Sequence, residues 1–320
     1  MLTNPDYLVV VVTGCDTGFG AEIVRDLYMR GKFTIYATCL TTQAVEAYKT
    51  KRSIRLRPLQ VDVTKQSDVD ELRTIVEAEC PQGVYCVFNN AGVYAGGFFD
   101  FSTEEDFQKT MDVNYMGIIR ITKALLPSLR IYAKSRHLLF SGKNLPKARL
   151  ISITSMAGRS SPPGHGGYSA SKHAAESILD TLRVELSPWE IDVSMIEPFY
   201  AKTPLVANGR SVLEASWDRA SSSTRMMYGS QFLDGLKSQS ERVYKRAMPS
   251  KWVADAAVSA IKDKSGAKKA RVLIGFWWVR ILIRLQERLP EWIVDWVTRL
   301  VMKRLGTWPA NPFLLKNTTR

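Results

Sequence analysis

The sequence predicts an α/β chain: a doubly wound parallel sheet followed by a C-terminal amphipathic helical extension. Three observations carry this expectation. Apolar runs of strand length alternate with segments of helical period as far as residue 275, the pattern of repeated βαβ units. The first run ends in a glycine-rich turn that opens a helix, Thr13-Gly14-Cys15-Asp16-Thr17-Gly18-Phe19-Gly20. Near the C-terminus the composition changes. Residues 262–320 hold thirteen Lys/Arg against four Asp/Glu, so they supply +9 of the net +13, and residues 276–320 contain five of the eight tryptophans.

Taken in order, Tyr7 to Thr13 reads as the first strand, Gly18 to Met29 as a helix, and Phe33 to Thr38 as the second strand. Ile54 to Val61 and Tyr85 to Asn89 are the third and fourth strands. A long helix follows, with Ser102 and Glu105 spaced as a capping box. Arg149 to Ser155 is the fifth strand, Tyr168 to Leu186 a helix, Asp192 to Ile196 the sixth strand, Trp252 to Lys262 a helix and Val272 to Gly275 a short last strand. Two stretches interrupt this rhythm. Tyr132 to Lys147, carrying Lys134, Arg136, Lys143 and Lys147, reads as a basic insertion. Leu205 to Ser240 is rich in Ser, Arg and Met and lies at the carboxyl edge of the sheet, where a mobile substrate lid is expected.

Hydrophobic residues at 45% and charged residues at 23% exclude an intrinsically disordered, collagen-like or disulfide-scaffold chain. Cys15, Cys39, Cys80 and Cys86 form no CxxC pair and the histidines are His137, His165 and His173, so no metal site is expected. The cysteines read as reduced thiols of a cytoplasmic protein. The run Leu8 to Val12 is too short for a secretory signal, and the apolar stretch Val272 to Val279 is cut off by Arg280, far below the ~20 residues of a membrane span.

Glycines in the turn between strand and helix allow close backbone approach, and the free amides at the helix start receive a pyrophosphate, so the turn points to a dinucleotide. The second strand ends in Thr38, Cys39 and Leu40, with neither the acidic marker of NAD nor the arginine of NADP. Asp16 would repel a 2′-phosphate if it points that way, which favours NAD over NADP.

Tyr168 and Lys172 lie four apart, on one face of a helix. Alcohol–carbonyl interconversion needs a proton donor or acceptor at the oxygen, and a phenol serves near neutral pH only if a cation stabilises its phenolate. Lys172 is that cation. Ser155 can donate to the same oxygen, and Asn114 can anchor a water that relays a proton to Lys172. His165 reads as a solvated loop residue, and Cys15 as a small residue filling the turn.

Together the turn, Asp62-Val63, Asn89-Asn90-Ala91-Gly92, Asn114, Ser155 and Tyr168 with Lys172 resemble the short-chain dehydrogenase/reductase superfamily over residues 7 to 205. TGCDTGFG, ATCLT, SITSMAGR and IEPFYAKT are closer still to its branch of retinol and hydroxysteroid dehydrogenases. The resemblance implies a seven-stranded Rossmann-type sheet, a nicotinamide cofactor and action on a lipophilic alcohol or ketone. It implies that Gly14, Gly18 and Gly20, with Asp16, Thr17 and Phe19, shape the pyrophosphate turn. Asp62 and Val63 would meet the adenine, and Asn90, Ala91 and Gly92 would flank the adenosine ribose. Tyr168 would be the general acid/base, Lys172 its modulator and ribose clamp, Ser155 the carbonyl orienter and Asn114 the relay anchor. Pro198 and Thr203 would contact the nicotinamide end. One departure is Phe199, where the family has Gly after Pro. A homo-oligomer built on the long helices near residues 103–131 and 168–186 is implied as well.

The boundary is placed after residue 275, giving a dinucleotide-binding and catalytic unit at 1–275 and a basic aromatic extension at 276–320. In the extension Arg280, Arg284 and Arg288 oppose Ile281, Leu282 and Leu285; after Pro290 a second helix sets Trp292, Ile293, Trp296, Val297 and Leu300 against Asp295, Arg299 and Lys303. Residues 277–305 thus suit a membrane surface, or cover the substrate pocket or a subunit partner. No nucleic-acid motif accompanies the charge. Readings of other classes are a catalytically silent nucleotide sensor or scaffold, and a lipid-binding module; an NADPH-dependent ketone reductase of lipid metabolism is the enzymatic alternative.

Overall fold

A computed structural model describes residues 7–138, 145–262 and 270–309. Seven parallel strands form one sheet in the order β3-β2-β1-β4-β5-β6-β7. They are β1 Leu8–Val12, β2 Phe33–Cys39, β3 Leu56–Gln60, β4 Cys86–Asn89, β5 Ala148–Ile153, β6 Ile191–Pro198 and β7 Arg271–Ile274. Every residue of β2, β4 and β5 is buried, as expected of strands covered on both faces. The chain order reverses between β1 and β4, the switch point at which ligands bind in such sheets.

The covering helices are α1 Gly18–Met29, α2 Thr42–Lys49, α3 Gln66–Glu79, α4 Glu104–Met111, α5 Gly117–Leu138, α6 Gly166–Glu185 and α11 Lys251–Lys262. Between them, α7 Pro204–Ala207, α8 Gly209–Arg219, α9 Ser222–Tyr228 and α10 Ser230–Arg246 stand over the carboxyl edge of the sheet. The expected lid is therefore helical. It has its own small core, in which Phe101, Trp217, Phe232 and Leu236 are buried together.

Three expectations are corrected. The capping box is Thr103 with Asp106, one residue beyond Ser102 and Glu105. A 3-10 turn at Phe99–Phe101 delays the helix, and Ser102 Oγ instead accepts from Gly97 N at 2.8 Å. The basic insertion is in its first part the end of α5, where Tyr132 is buried and donates to Pro146 O at 3.1 Å; Lys143 lies outside the described residues. Asp112–Met116, between α4 and α5, forms a π-helical turn that periodicity did not reveal.

The extension forms α12 Trp277–Gln286 and α13 Glu291–Leu305. Val279 and Met302 are their buried residues, and the apolar faces read from sequence remain largely outside: Trp277, Trp278, Ile281, Leu282, Leu285, Trp292, Trp296, Val297 and Leu300 are exposed. No helix among the described residues is long and apolar enough to cross a membrane.

Candidate active site

The turn after β1 is built from contacts that only glycine permits. Gly14 has φ +67°, and a Cβ there would lie 2.7 Å from Ala91 Cα. Thr13 and Asn90 hold the turn to the end of β4: Asn90 N and Ala91 N donate to Thr13 Oγ1 at 3.0 and 3.1 Å, and Asn90 Nδ2 donates to Thr13 O at 2.8 Å and Gly14 O at 3.0 Å. Gly18, at φ +59°, faces buried Thr203. Cys15 is buried, its thiol donating to Val12 O at 3.1 Å, and burial pushes that thiol well above its ordinary range, so it is inert.

Asp16 points at the end of β2. Its carboxylate accepts from Leu40 N at 2.8 Å, Thr41 N at 2.9 Å and Thr41 Oγ1 at 2.8 Å, so a negative charge stands where the acidic marker of the second strand is missing. Asp62 Oδ1 accepts from Thr64 N and Thr64 Oγ1 at 3.0 and 2.7 Å, and Val63 packs on Gly117. Gly14, Asp16 to Phe19, Asp62, Val63 and Asn90 to Gly92 line one half of a cavity of about 590 Å³. The cradle at Gly14, the amides of the α1 start and the carboxylate at Asp16 fit a dinucleotide.

Ser155, Tyr168 and Lys172 line the same cavity. Ser155 leaves β5 and caps a 3-10 turn at Met156–Gly158, its Oγ accepting from Ala157 N at 3.1 Å. Tyr168 sits in the first turn of α6. Burial pushes its phenol above the ordinary value, and the neighbouring Ser155 hydroxyl pulls it back. Lys172 is buried one turn later, with Nζ donating to Ile153 O at 3.1 Å and lying 5.6 Å from the Tyr168 ring centroid. Desolvation brings its ammonium down to about 8, against the attraction of Glu176. Asn114, in the π-helical turn, donates to Val93 O at 2.9 Å and Ser171 Oγ at 3.0 Å and accepts from Val93 N at 2.8 Å. It ties the loop after β4 to α6 beside the lysine.

Tyr94 and Tyr200, which the sequence did not single out, complete the wall with His165 and Phe199. His165, expected to be solvated, is only partly exposed: Nδ1 contacts Pro163 O at 3.3 Å, which leaves Nε2 to accept from Tyr200 Oη at 2.9 Å, and burial lowers its basicity. Tyr94 lies edge-on to Tyr168 at 5.8 Å and donates to Gly164 O at 2.8 Å. Phe199 packs on Tyr200 at 4.9 Å and reaches toward Trp278, joining Met156 and Val279 in a small cluster. The departure after Pro198 is thus a contact with the extension, and Ile283 of α12 also lines the cavity. Arg159 pairs with Glu287, next to α12, at 2.6 Å and with buried Glu197 at 2.6 Å.

Residues 8–213 match the family model described as short chain dehydrogenase. The chain belongs to the short-chain dehydrogenase family. This dehydrogenase lies with the retinol dehydrogenase branch: it is 35% identical over 240 residues to human (Homo sapiens) retinol dehydrogenase 16, covering 73% of this chain and 70% of that one. Human retinol dehydrogenase 5 is 36% identical over 240 residues, with the same coverages. The mitochondrial D-beta-hydroxybutyrate dehydrogenase of Rattus norvegicus is 28% identical over 286 residues, 86% of this chain and 79% of that one. A short-chain dehydrogenase from Streptomyces avermitilis shares the fold at TM-score 0.69 and 22% identity, covering 94% of this chain and 98% of its own. One from Burkholderia phymatum, in complex with NAD, does so at 0.67 and 24%, covering 96% and 98%. The enzyme is an oxidoreductase of the CH–OH group with NAD or NADP as acceptor.

Proposed function

We propose that the enzyme interconverts a neutral, lipophilic alcohol and its carbonyl compound, with NAD favoured over NADP. The division of the cavity is the observation that carries this reading. One part of the lining is the dinucleotide cradle; another comprises Phe98, Leu213, Leu236, Val243 and Ile283, with Gln239 and Ser240 as the polar side chains of α10 beside them. Among the described residues lining the cavity, the charged ones are Asp16, Asp62 and Lys172, all in the cradle or the catalytic set. A substrate carboxylate in the apolar part would meet Gln239 and Ser240 but no cation other than Lys172 of the catalytic set, so its desolvation would be poorly offset. This favours a retinoid- or steroid-like alcohol over a hydroxy acid, although a hydroxybutyrate dehydrogenase is among the relatives.

Bound in the cradle, the nicotinamide supplies or accepts the hydride. Gly14, Asp16, Thr17, Gly18, Phe19 and Gly20 hold the pyrophosphate, Asp62 and Val63 the adenine, Asn90 to Gly92 the ribose, and Pro198 with Thr203 the far end. Tyr168 gives its proton to the carbonyl oxygen or takes one from the alcohol, Ser155 orients that oxygen, and Lys172 stabilises the phenolate. Asn114 anchors the proton path to Lys172. Asp16 favours NAD because a 2′-phosphate beside its carboxylate would be repelled. Reduced-nicotinamide absorbance with retinol, hydroxysteroids, simple secondary alcohols and 3-hydroxybutyrate, run with each cofactor, tests this. Turnover should follow the apolar alcohols, with NAD binding more tightly. A preference for 3-hydroxybutyrate or clearly tighter NADP would overturn it, and silence in both directions would leave the sensor reading.

We also propose that residues 277–305 seat the enzyme peripherally on the cytoplasmic side of an intracellular membrane. Eleven large apolar side chains between Trp277 and Trp308 are exposed beside Arg280, Arg284, Arg299 and Lys303, the composition of an interfacial anchor on anionic lipid. Replacing exposed Trp277, Trp292 and Trp296 together by Ser should release the protein from anionic liposomes in a sedimentation assay, about tenfold or more. Unchanged binding would place the contact elsewhere. A homo-oligomer through α5 and α6 remains part of the proposal on the family resemblance alone.

A further inference from the structure

Behind the catalytic set lies a group of buried and half-buried charges that the proposed chemistry does not use. Glu176 follows Lys172 by four residues on α6 and is 3% exposed. Arg271 on β7 donates to Glu176 Oε2 at 2.5 Å and to Glu197 Oε1 on β6 at 2.9 Å, and it also pairs with Asp180 on α6. Arg159, just past the turn that Ser155 opens, holds the other side of Glu197 at 2.6 Å and reaches Glu287 at the end of α12. Arg183 pairs with Asp180 at 3.3 Å. Buried ion pairs of this kind contribute little net stability, because desolvation offsets the attraction. Their position is more informative.

We propose that Glu176 is a positioning residue of the catalytic set: its carboxylate, clamped by Arg271, stands one helical turn from Lys172 and against the turn capped by Ser155, fixing both. One contact and one helical spacing support this. A Cβ at Gly158 would overlap the Glu176 carboxylate, so that carboxylate lies directly against the backbone of the Met156–Gly158 turn. On the other side, Lys172 and Glu176 share a helix face, and the attraction of Glu176 opposes the desolvation that draws the ammonium down to about 8. Burial and the neighbouring Glu197 push the Glu176 carboxyl up, while the Arg271 guanidinium pulls it back. The other charges of the group pair with one another, Arg271 with Glu197 and Asp180 and Arg159 with Glu197.

The sign follows. Lys172 must be protonated to stabilise a phenolate. Removing the negative charge at 176 lets the ammonium lose its proton at lower pH. The inference rests on the role proposed for Lys172, so its first test does not use turnover. Lysine Nζ titration by NMR in cofactor-free, isotope-labelled protein, with Lys172→Arg to assign the signal, should show a midpoint near 8. Glu176→Gln should lower that midpoint by about one unit, and Glu176→Asp should restore most of it. The pH at which kcat/KM for the cofactor declines should fall in parallel. Should Glu176→Gln not fold, the double variant Glu176→Gln/Arg271→Met removes the pair together and should displace the midpoint in the same direction but by less, because the opposing Arg271 charge goes too. An unmoved midpoint in either folded variant, with only the unfolding temperature changed, would overturn the proposal and leave Glu176 a packing residue. A displaced midpoint in an enzyme inactive on every substrate would sustain the coupling and overturn the catalytic reading instead.

Discussion

Replacing Tyr168 by Phe is expected to lower turnover about 10²- to 10⁴-fold while leaving cofactor affinity unchanged. The substitution removes one oxygen and keeps the ring, which packs edge-on to Tyr94 at 5.8 Å and beside Lys172. Ser155 Oγ keeps its bond from Ala157 N, and Lys172 keeps Ile153 O, so the surrounding groups stay in place. What is lost is the proton. Burial holds the Tyr168 phenol above its ordinary value, so at neutral pH it carries the proton that reduction of a carbonyl requires. Among the described residues, the proton-bearing groups nearby are engaged elsewhere: His165 with Tyr200, which burial holds protonated, Tyr94 with Gly164 O and Lys172 with Ile153 O. Rates from reduced-nicotinamide absorbance and dissociation constants from its fluorescence separate the two quantities. Turnover near wild type in Tyr168→Phe would remove the mechanism.

How much of this was legible in the sequence depended on whether the deciding contact was local. The strands, α1, the glycine turn and the Tyr168–Lys172 spacing are properties of short windows, and each is found within a residue or two of its expected place. The lid helices α8 to α10 were not read as elements, because their apolar residues are few and are buried against one another and against Phe101, a partner more than a hundred residues away. His165 and Tyr200 became part of the wall only through a contact across 35 residues of chain. Glu176 is one turn from Lys172 and was open to view, but what distinguishes it is Arg271, which strand order alone brings near. The amphipathic extension was legible as a pattern. Which side of it faces the protein was not: Val279, Ile283 and Met302 turn inward while the tryptophans stay outside.

Gly20→Ala is expected to weaken cofactor binding about ten- to a hundredfold, with a smaller effect on folding. Gly20 lies in the first turn of α1 and has no unusual φ, so the argument rests on space alone. A methyl group there would overlap Gly14 O and come within 2.6 Å of Asn90 Nδ2. Neither neighbour can yield freely. Gly14 is backbone, held by its own approach to Ala91, and Asn90 Nδ2 is committed to Thr13 O and Gly14 O. Relief comes only by moving α1 away from the turn, which parts the helix amides from the loop and opens the cradle for the pyrophosphate. Gly31→Ala is the comparison, since its φ of +73° makes alanine cost about 1 kcal/mol although nothing lies within 4 Å of the added methyl. It should lower the unfolding temperature and leave cofactor affinity alone. If folded Gly20→Ala bound the cofactor as tightly as wild type, the cradle would tolerate the displacement, and close helix approach would not be what this turn requires.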